Sequence, residues 1–99
     1  MRILFTADIF AQTGRRMASI HIPALLRERS VDFVIANGEN AAGGFGLTNN
    51  LVGKLRSYGV DVITSGNHIW DRKEFVPQLD QDDRILRPFN YPPGAPGQG

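Results

Sequence analysis

The side chains best suited to chemistry stand in three short stretches: Asp8, then Asn37-Gly38-Glu39-Asn40, then Ser65-Gly66-Asn67-His68. Each stretch follows an apolar run. If those runs are neighbouring strands of a parallel sheet, the loops beyond their carboxyl ends converge on one edge, where such sheets bind ligands. That edge then receives a carboxylate, a carboxylate with an amide, and an amide with an imidazole. Oxygen and nitrogen donors of this kind suit Mn²⁺, Fe or Zn²⁺ and suit soft thiophilic ions poorly. Taken singly, most of these groups have a plainer explanation. Asp8 could cap the next segment, the asparagines could be turn residues (Asn37 beside Gly38 above all), and His68 could simply face solvent. Glu39 resists such an account, because glutamate has no special turn chemistry. The functional reading rests on the constellation.

Other residues carry weaker signals. Ala41-Ala42-Gly43-Gly44-Phe45-Gly46 has glycine at three of its last four positions. Backbone there can approach a ligand closely, and clustered N–H groups could cradle an anion. The segment matches neither the P-loop nor the dinucleotide pattern, and a flexible bend into the next helix is the plainer reading. Arg15 and Arg16 could face a phosphate but read as solvated surface. His21 has no acidic or histidine partner one turn away and reads as structural. Trp70 and Phe75 read as packing against the sheet, although Trp70 stands close enough to His68 to wall a site.

The elements that must position these groups follow from pattern. Arg2–Thr6, Phe33–Ala36 and Val60–Thr64 are apolar runs of the kind buried on both faces of a parallel sheet, and Arg84–Arg87 is a weaker fourth ended by Pro88. Between the first two, Ala18, Ile22, Leu25 and Leu26 form one helical stripe within Thr13–Arg29. Pro23 interrupts that stripe and predicts a kink or two shorter helices. Thr48 is a good N-cap for a second helix whose Leu51, Val52, Leu55 and Tyr58 share a face, with Gly59 suited to the left-handed position after its end. A third, short helix is predicted from Asp71 or Arg72 to about Leu79. The order β-α-β-α-β-α-β, with strands about thirty residues apart, reads as an α/β domain with a mostly parallel sheet. The last ten residues, 90–99, hold three prolines and three glycines and read as an extended or frayed tail.

Composition narrows the function classes. At 99 residues the chain supports one domain rather than two. Eleven Lys and Arg against ten Asp and Glu leave a formal charge of +1, so charge gives no broad reason to favour nucleic acid or an anionic membrane. The absence of cysteine excludes disulfides, thiolate metal sites and cysteine nucleophiles. No apolar run approaches a membrane span, and the N-terminus lacks a secretory pattern, so a cytoplasmic location is expected.

With these motifs in view, Asn37–Gly46 and Gly66-Asn67-His68-Ile69-Trp70-Asp71 resemble the signature stretches of the YmdB-like metallophosphoesterases. The likeness extends over the whole chain, including Arg87-Pro88 and Tyr91-Pro92-Pro93-Gly94. It implies the N-terminal half of a calcineurin-like metallophosphoesterase fold, with residues 1–89 a partial domain and 90–99 a linker towards a second half. It implies two divalent metal ions, Fe or Mn first and Zn or Mg as alternatives. Asp8 and Asn40 would bind the first, Glu39 would bridge both, Asn67 would bind the second, and His68 would be the proton donor. The implied reaction is hydrolysis of a phosphodiester, 2′,3′-cyclic nucleotides above all, by a metal-activated hydroxide.

Two departures stand beside the resemblance. The family usually carries Gly-Asp-Ile-Val-Gly where this chain has Ala7-Asp8-Ile9-Phe10-Ala11. Family members are also much longer, and their later loops supply further histidine ligands. This chain has two histidines, neither suited to those parts. A fragment or truncated product is therefore expected, with loose metal binding, little turnover alone, an unpaired sheet edge and exposed apolar surface. The rival reading is a catalytically incomplete module that holds nucleotide or RNA through the Gly43–Gly46 loop, or a truncated fragment completed by a partner; the sequence leaves a homo-oligomer open.

Overall fold

The four apolar runs form four parallel strands in the computed structural model, which describes residues 1–99. The elements are β1 (Ile3–Thr6), α1 (Ala11–Glu28), β2 (Phe33–Asn37), α2 (Asn49–Tyr58), β3 (Val62–Thr64), α3 (Val76–Leu79) and β4 (Ile85–Leu86). Two 3₁₀ turns, Asn67–Trp70 and Lys73–Phe75, lie between β3 and α3. The expected β-α-β-α-β-α-β order is therefore present, and the sheet runs β1-β2-β3-β4.

That strand order has a consequence for burial. Every crossover steps in the same direction, and right-handed crossovers that never reverse leave their helices on one face of the sheet. Val34, Ala36, Ile63 and Ile85 point to that face and are sealed, packed with Ile22, Leu55, Ile69, Phe75 and Leu79. On the other face Ile3 pairs with Phe33, and Phe5 with Ile35. Ile3 and Phe5 there are 54% and 60% exposed. The expectation of strands buried on both faces is thus corrected: one face is covered and the other is open. The 19 Å shortest dimension of the molecule fits one helix layer on one sheet, at about 10 Å per layer. β1 is an edge strand, and a groove of about 410 Å³ runs between it and α1, lined by Leu4, Phe5, Met17, His21 and Leu25.

Helix boundaries follow local chemistry with two corrections. α1 is one continuous helix through Pro23, which rules out the second of the two expectations there, a pair of shorter helices. Its Ala18 and Ile22 are buried and Leu26 packs against the core, and this burial offsets the backbone bond that proline removes. The third helix is a single α turn, Val76–Leu79, preceded by the two 3₁₀ turns, so the helix expected from residue 71 or 72 begins later. α2 matches its signals: Thr48 Oγ1 accepts from the Leu51 N–H at 3.2 Å, and Gly59 ends the helix at φ 113°.

The proline-rich tail is folded back rather than frayed. The Arg87 N–H donates to the Gln98 carbonyl at 2.7 Å, and the Gly97 N–H donates to Asp80 at 2.8 Å. Tyr91 meets Trp70 edge to face, with ring centroids 4.7 Å apart. Trp70 also donates from its indole to the Pro96 carbonyl, so it anchors the tail.

Candidate metal and catalytic site

The exits of the first three strands are stitched to one another by backbone hydrogen bonds. The Ile9 N–H donates to Asn37 O at 3.2 Å, the Ala11 N–H to Asn40 O at 3.0 Å, and the Gly38 N–H to Thr64 O at 3.0 Å. A parallel sheet places these exits at one edge, and the hydrogen bonds fix their relative heights. The side chains they carry therefore start from a shared frame.

Two contacts join the groups singled out by sequence. Asn40 Nδ2 donates to Asp8 Oδ2 at 2.8 Å, which leaves the amide oxygen of Asn40 uncommitted. The backbone N–H of His68 donates to Glu39 Oε2 at 3.4 Å. Glu39 also lies directly against Gly66: a methyl group there would overlap both carboxylate oxygens and stand 2.5 Å from the carboxyl carbon. Glycine at 66 is thus what gives this carboxylate its room. Asn67 opens the 3₁₀ turn and is exposed, and its side chain makes no hydrogen bond to either pair.

The donor set can be tested against a divalent ion. Two carboxylates and uncommitted amide oxygens at adjoining strand ends fit the oxygen part of such a coordination sphere. The buried Asn37 Oδ1, which has no hydrogen-bond partner, is a further oxygen at the same end of β2. No histidine beyond His68 stands at this edge. Nowhere in the chain do three His, Asp or Glu side chains gather in metal-binding proximity. His21 sits exposed on α1, and Nδ1 of His68 is engaged by Asp71. The fit is that of an oxygen half-site.

The surrounding loop is held by arginines whose part in it local pattern does not disclose. Arg15, read from sequence as surface, donates to the Ala41 carbonyl. Arg72 donates to the Ala42 carbonyl at 2.8 Å and lies 5.1 Å from the Phe45 ring centroid. A Cβ at Gly46 would stand 2.6 Å from Arg72 Cγ, so glycine there lets the loop close over the arginine stem. The N–H groups of Ala42, Phe45 and Gly46 are used inside the segment, on Gly46 O, Ala42 O and Glu39 O respectively, which limits its capacity to cradle an anion. Gly66 and Asp71 stand inside the motifs quoted from sequence, but sequence reasoning gave neither of them, nor Arg72, a part in the site. An acid three residues after a histidine in a turn was the available signal.

Comparison with known proteins shows what the chain as a whole is similar to. The profile of the YmdB-like protein family matches residues 4–99. A 2′,3′-cyclic-nucleotide 2′-phosphodiesterase of Bacillus subtilis is 44% identical over all 99 residues, which correspond to 38% of that enzyme. The crystal structure of a hypothetical protein from Thermus thermophilus superposes with a TM-score of 0.90 at 48% identity, over all of this chain and 38% of the other. That of a novel phosphatase from Mycoplasma pneumoniae also gives 0.90, at 30% identity, over 98% of this chain and 36% of the other. The chain spans little more than a third of the length of these relatives.

Proposed function

The chain belongs to the YmdB-like protein family, and on that footing we propose that its strand-end cluster is part of a metal-dependent phosphodiesterase site for 2′,3′-cyclic nucleotides. The observation that carries this reading is the joining of Asp8 to Asn40 and of Glu39 to the His68 turn, which draws acid and amide groups from three strand exits to one edge. Asp8, Glu39, Asn40 and Asn67 are the residues that would hold divalent cations, Mn or Fe first. When bound, such a pair supplies a nucleophile at neutral pH and neutralises phosphoryl charge.

The remaining chemistry falls to the protein. The Bacillus enzyme's name places the broken bond at the 2′ oxygen. A ribose alkoxide is a poor leaving group and needs a proton as it departs. An imidazolium can deliver one as general acid, and His68 is the imidazole at this edge. Its side chain is 44% exposed, so an incoming ester can reach it.

Titration calorimetry with Mn²⁺ tests the metal reading. The expected result is heat of binding from the native chain that Glu39→Ala loses; equal heats from both remove the claim. A second reading, a nucleotide-binding module without turnover, is favoured by one observation, the lack of any histidine beyond His68 at this edge. It expects 2′,3′-cyclic AMP to raise the melting temperature without added metal, and an unchanged melting curve counts against it.

A further inference from the structure

We propose that Asp71 is a positioning residue that holds His68 in the Nδ1–H form, so that Nε2 is the atom presented for proton transfer; the catalytic meaning of this rests on the phosphodiesterase reading. His68 Nδ1 and Asp71 Oδ2 are 2.7 Å apart. The spacing is a product of the turn. In a 3₁₀ turn, side chains three residues apart eclipse one another, and Asp71 closes the turn with its own N–H on the His68 carbonyl at 3.1 Å. The fully buried Ile69 fixes the turn from below, while Trp70 is tied to Tyr91 and Pro96.

Chemistry then decides the tautomer. An ionised carboxylate only accepts hydrogen bonds, so the ring nitrogen facing it must carry the hydrogen. Proton donation from Nε2 of the imidazolium leaves behind the Nδ1–H imidazole, the form that Asp71 stabilises. The neighbouring cation does not compete for this carboxylate, because Arg72 spends its guanidinium on the Ala42 and Phe45 carbonyls. Stability is a poor alternative explanation for the pair. Its members are 44% and 39% exposed, and exposed ion pairs contribute little to folding. The chain contains one other ion pair, Arg56–Asp82, far from this edge in sequence. His21 has no acidic partner and serves as an internal reference.

The test is a two-bond ¹H–¹⁵N correlation on histidine-labelled chain at about pH 8.5, above the ordinary imidazole pKa. His68 is expected to show a protonated Nδ1 and an unprotonated Nε2. In Asp71→Ala the two ring nitrogens should exchange those positions, since an unconstrained imidazole favours Nε2–H. Asp71→Glu, which keeps the acceptor, should restore part of the Nδ1–H population. A dispersed amide spectrum that matches the native one away from residues 66–72 establishes that the fold is retained. His68 in the Nε2–H form in the native chain, or the same tautomer in native and Asp71→Ala, overturns the proposal. Neither outcome depends on metal binding, so failure here is distinct from failure of the Mn²⁺ titration.

Discussion

Replacing Gly66 with alanine asks whether the position of the Glu39 carboxylate matters to metal binding. The backbone at Gly66, φ −139° and ψ −151°, is ordinary extended conformation, so alanine adds a methyl group without backbone strain. That methyl would stand 2.5 Å from Glu39 Cδ and overlap both carboxylate oxygens. Ordinary contact requires about 3.5 Å, so the carboxylate must retreat by about 1 Å. The end of a glutamate side chain can do this at little cost to folding, and the melting temperature should fall by no more than a few degrees. A metal site is less forgiving, since ligand distances hold to within about 0.2 Å. We expect Mn²⁺ affinity to drop by about 10–100-fold, or roughly 1.4–2.8 kcal/mol, approaching the loss in Glu39→Ala. Calorimetry gives the affinity and a melting curve gives the fold. A folded Gly66→Ala chain that binds Mn²⁺ as tightly as the native one would refute the reasoning.

Three further outcomes follow from local geometry. Burial alone would raise the Asp82 carboxyl, but hydrogen bonds from Arg56 and the Arg84 N–H, with the charges of both arginines, hold it below its ordinary value of 3.8. Asp82→Asn should therefore cost up to about 1 kcal/mol at neutral pH, a difference lost as pH falls below 3.8 and through the lowered native value; urea midpoints independent of pH would contradict this. Ala11 sits at φ 51°, where glycine is preferred, so Ala11→Gly should raise stability by about 0.5 kcal/mol after its larger unfolded-state entropy is counted, and a lower melting temperature refutes it. Gly59 is at φ 113° and a methyl group there would overlap Leu26 Cδ1, so Gly59→Ala should destabilise by about 1–3 kcal/mol, read from denaturant midpoints.

Sequence alone determined the class of fold and the identity of the candidate ligands, because both rest on local information. Apolar runs at regular spacing specify parallel strands, Thr48 and Gly59 specify the ends of α2, and acids and amides directly after strands single out the candidates for a strand-end site. Tertiary structure decided what depends on the direction of the crossovers and on approach between distant segments. The one-way strand order put every helix on one face, so Ile3 and Phe5 lie open although their run reads as doubly buried. Pro23 stayed within a single helix because the stripe around it is packed against the core. Residues 90–99 were held by Trp70, Asp80 and Arg87, none of which local composition could reveal. The candidate donors were legible residue by residue, but the direct hydrogen bonds that join Asp8 to Asn40 and His68 to Asp71 were not. A hydrogen bond is set by side-chain direction to within tenths of an ångström, and the one-dimensional pattern carries no information at that scale.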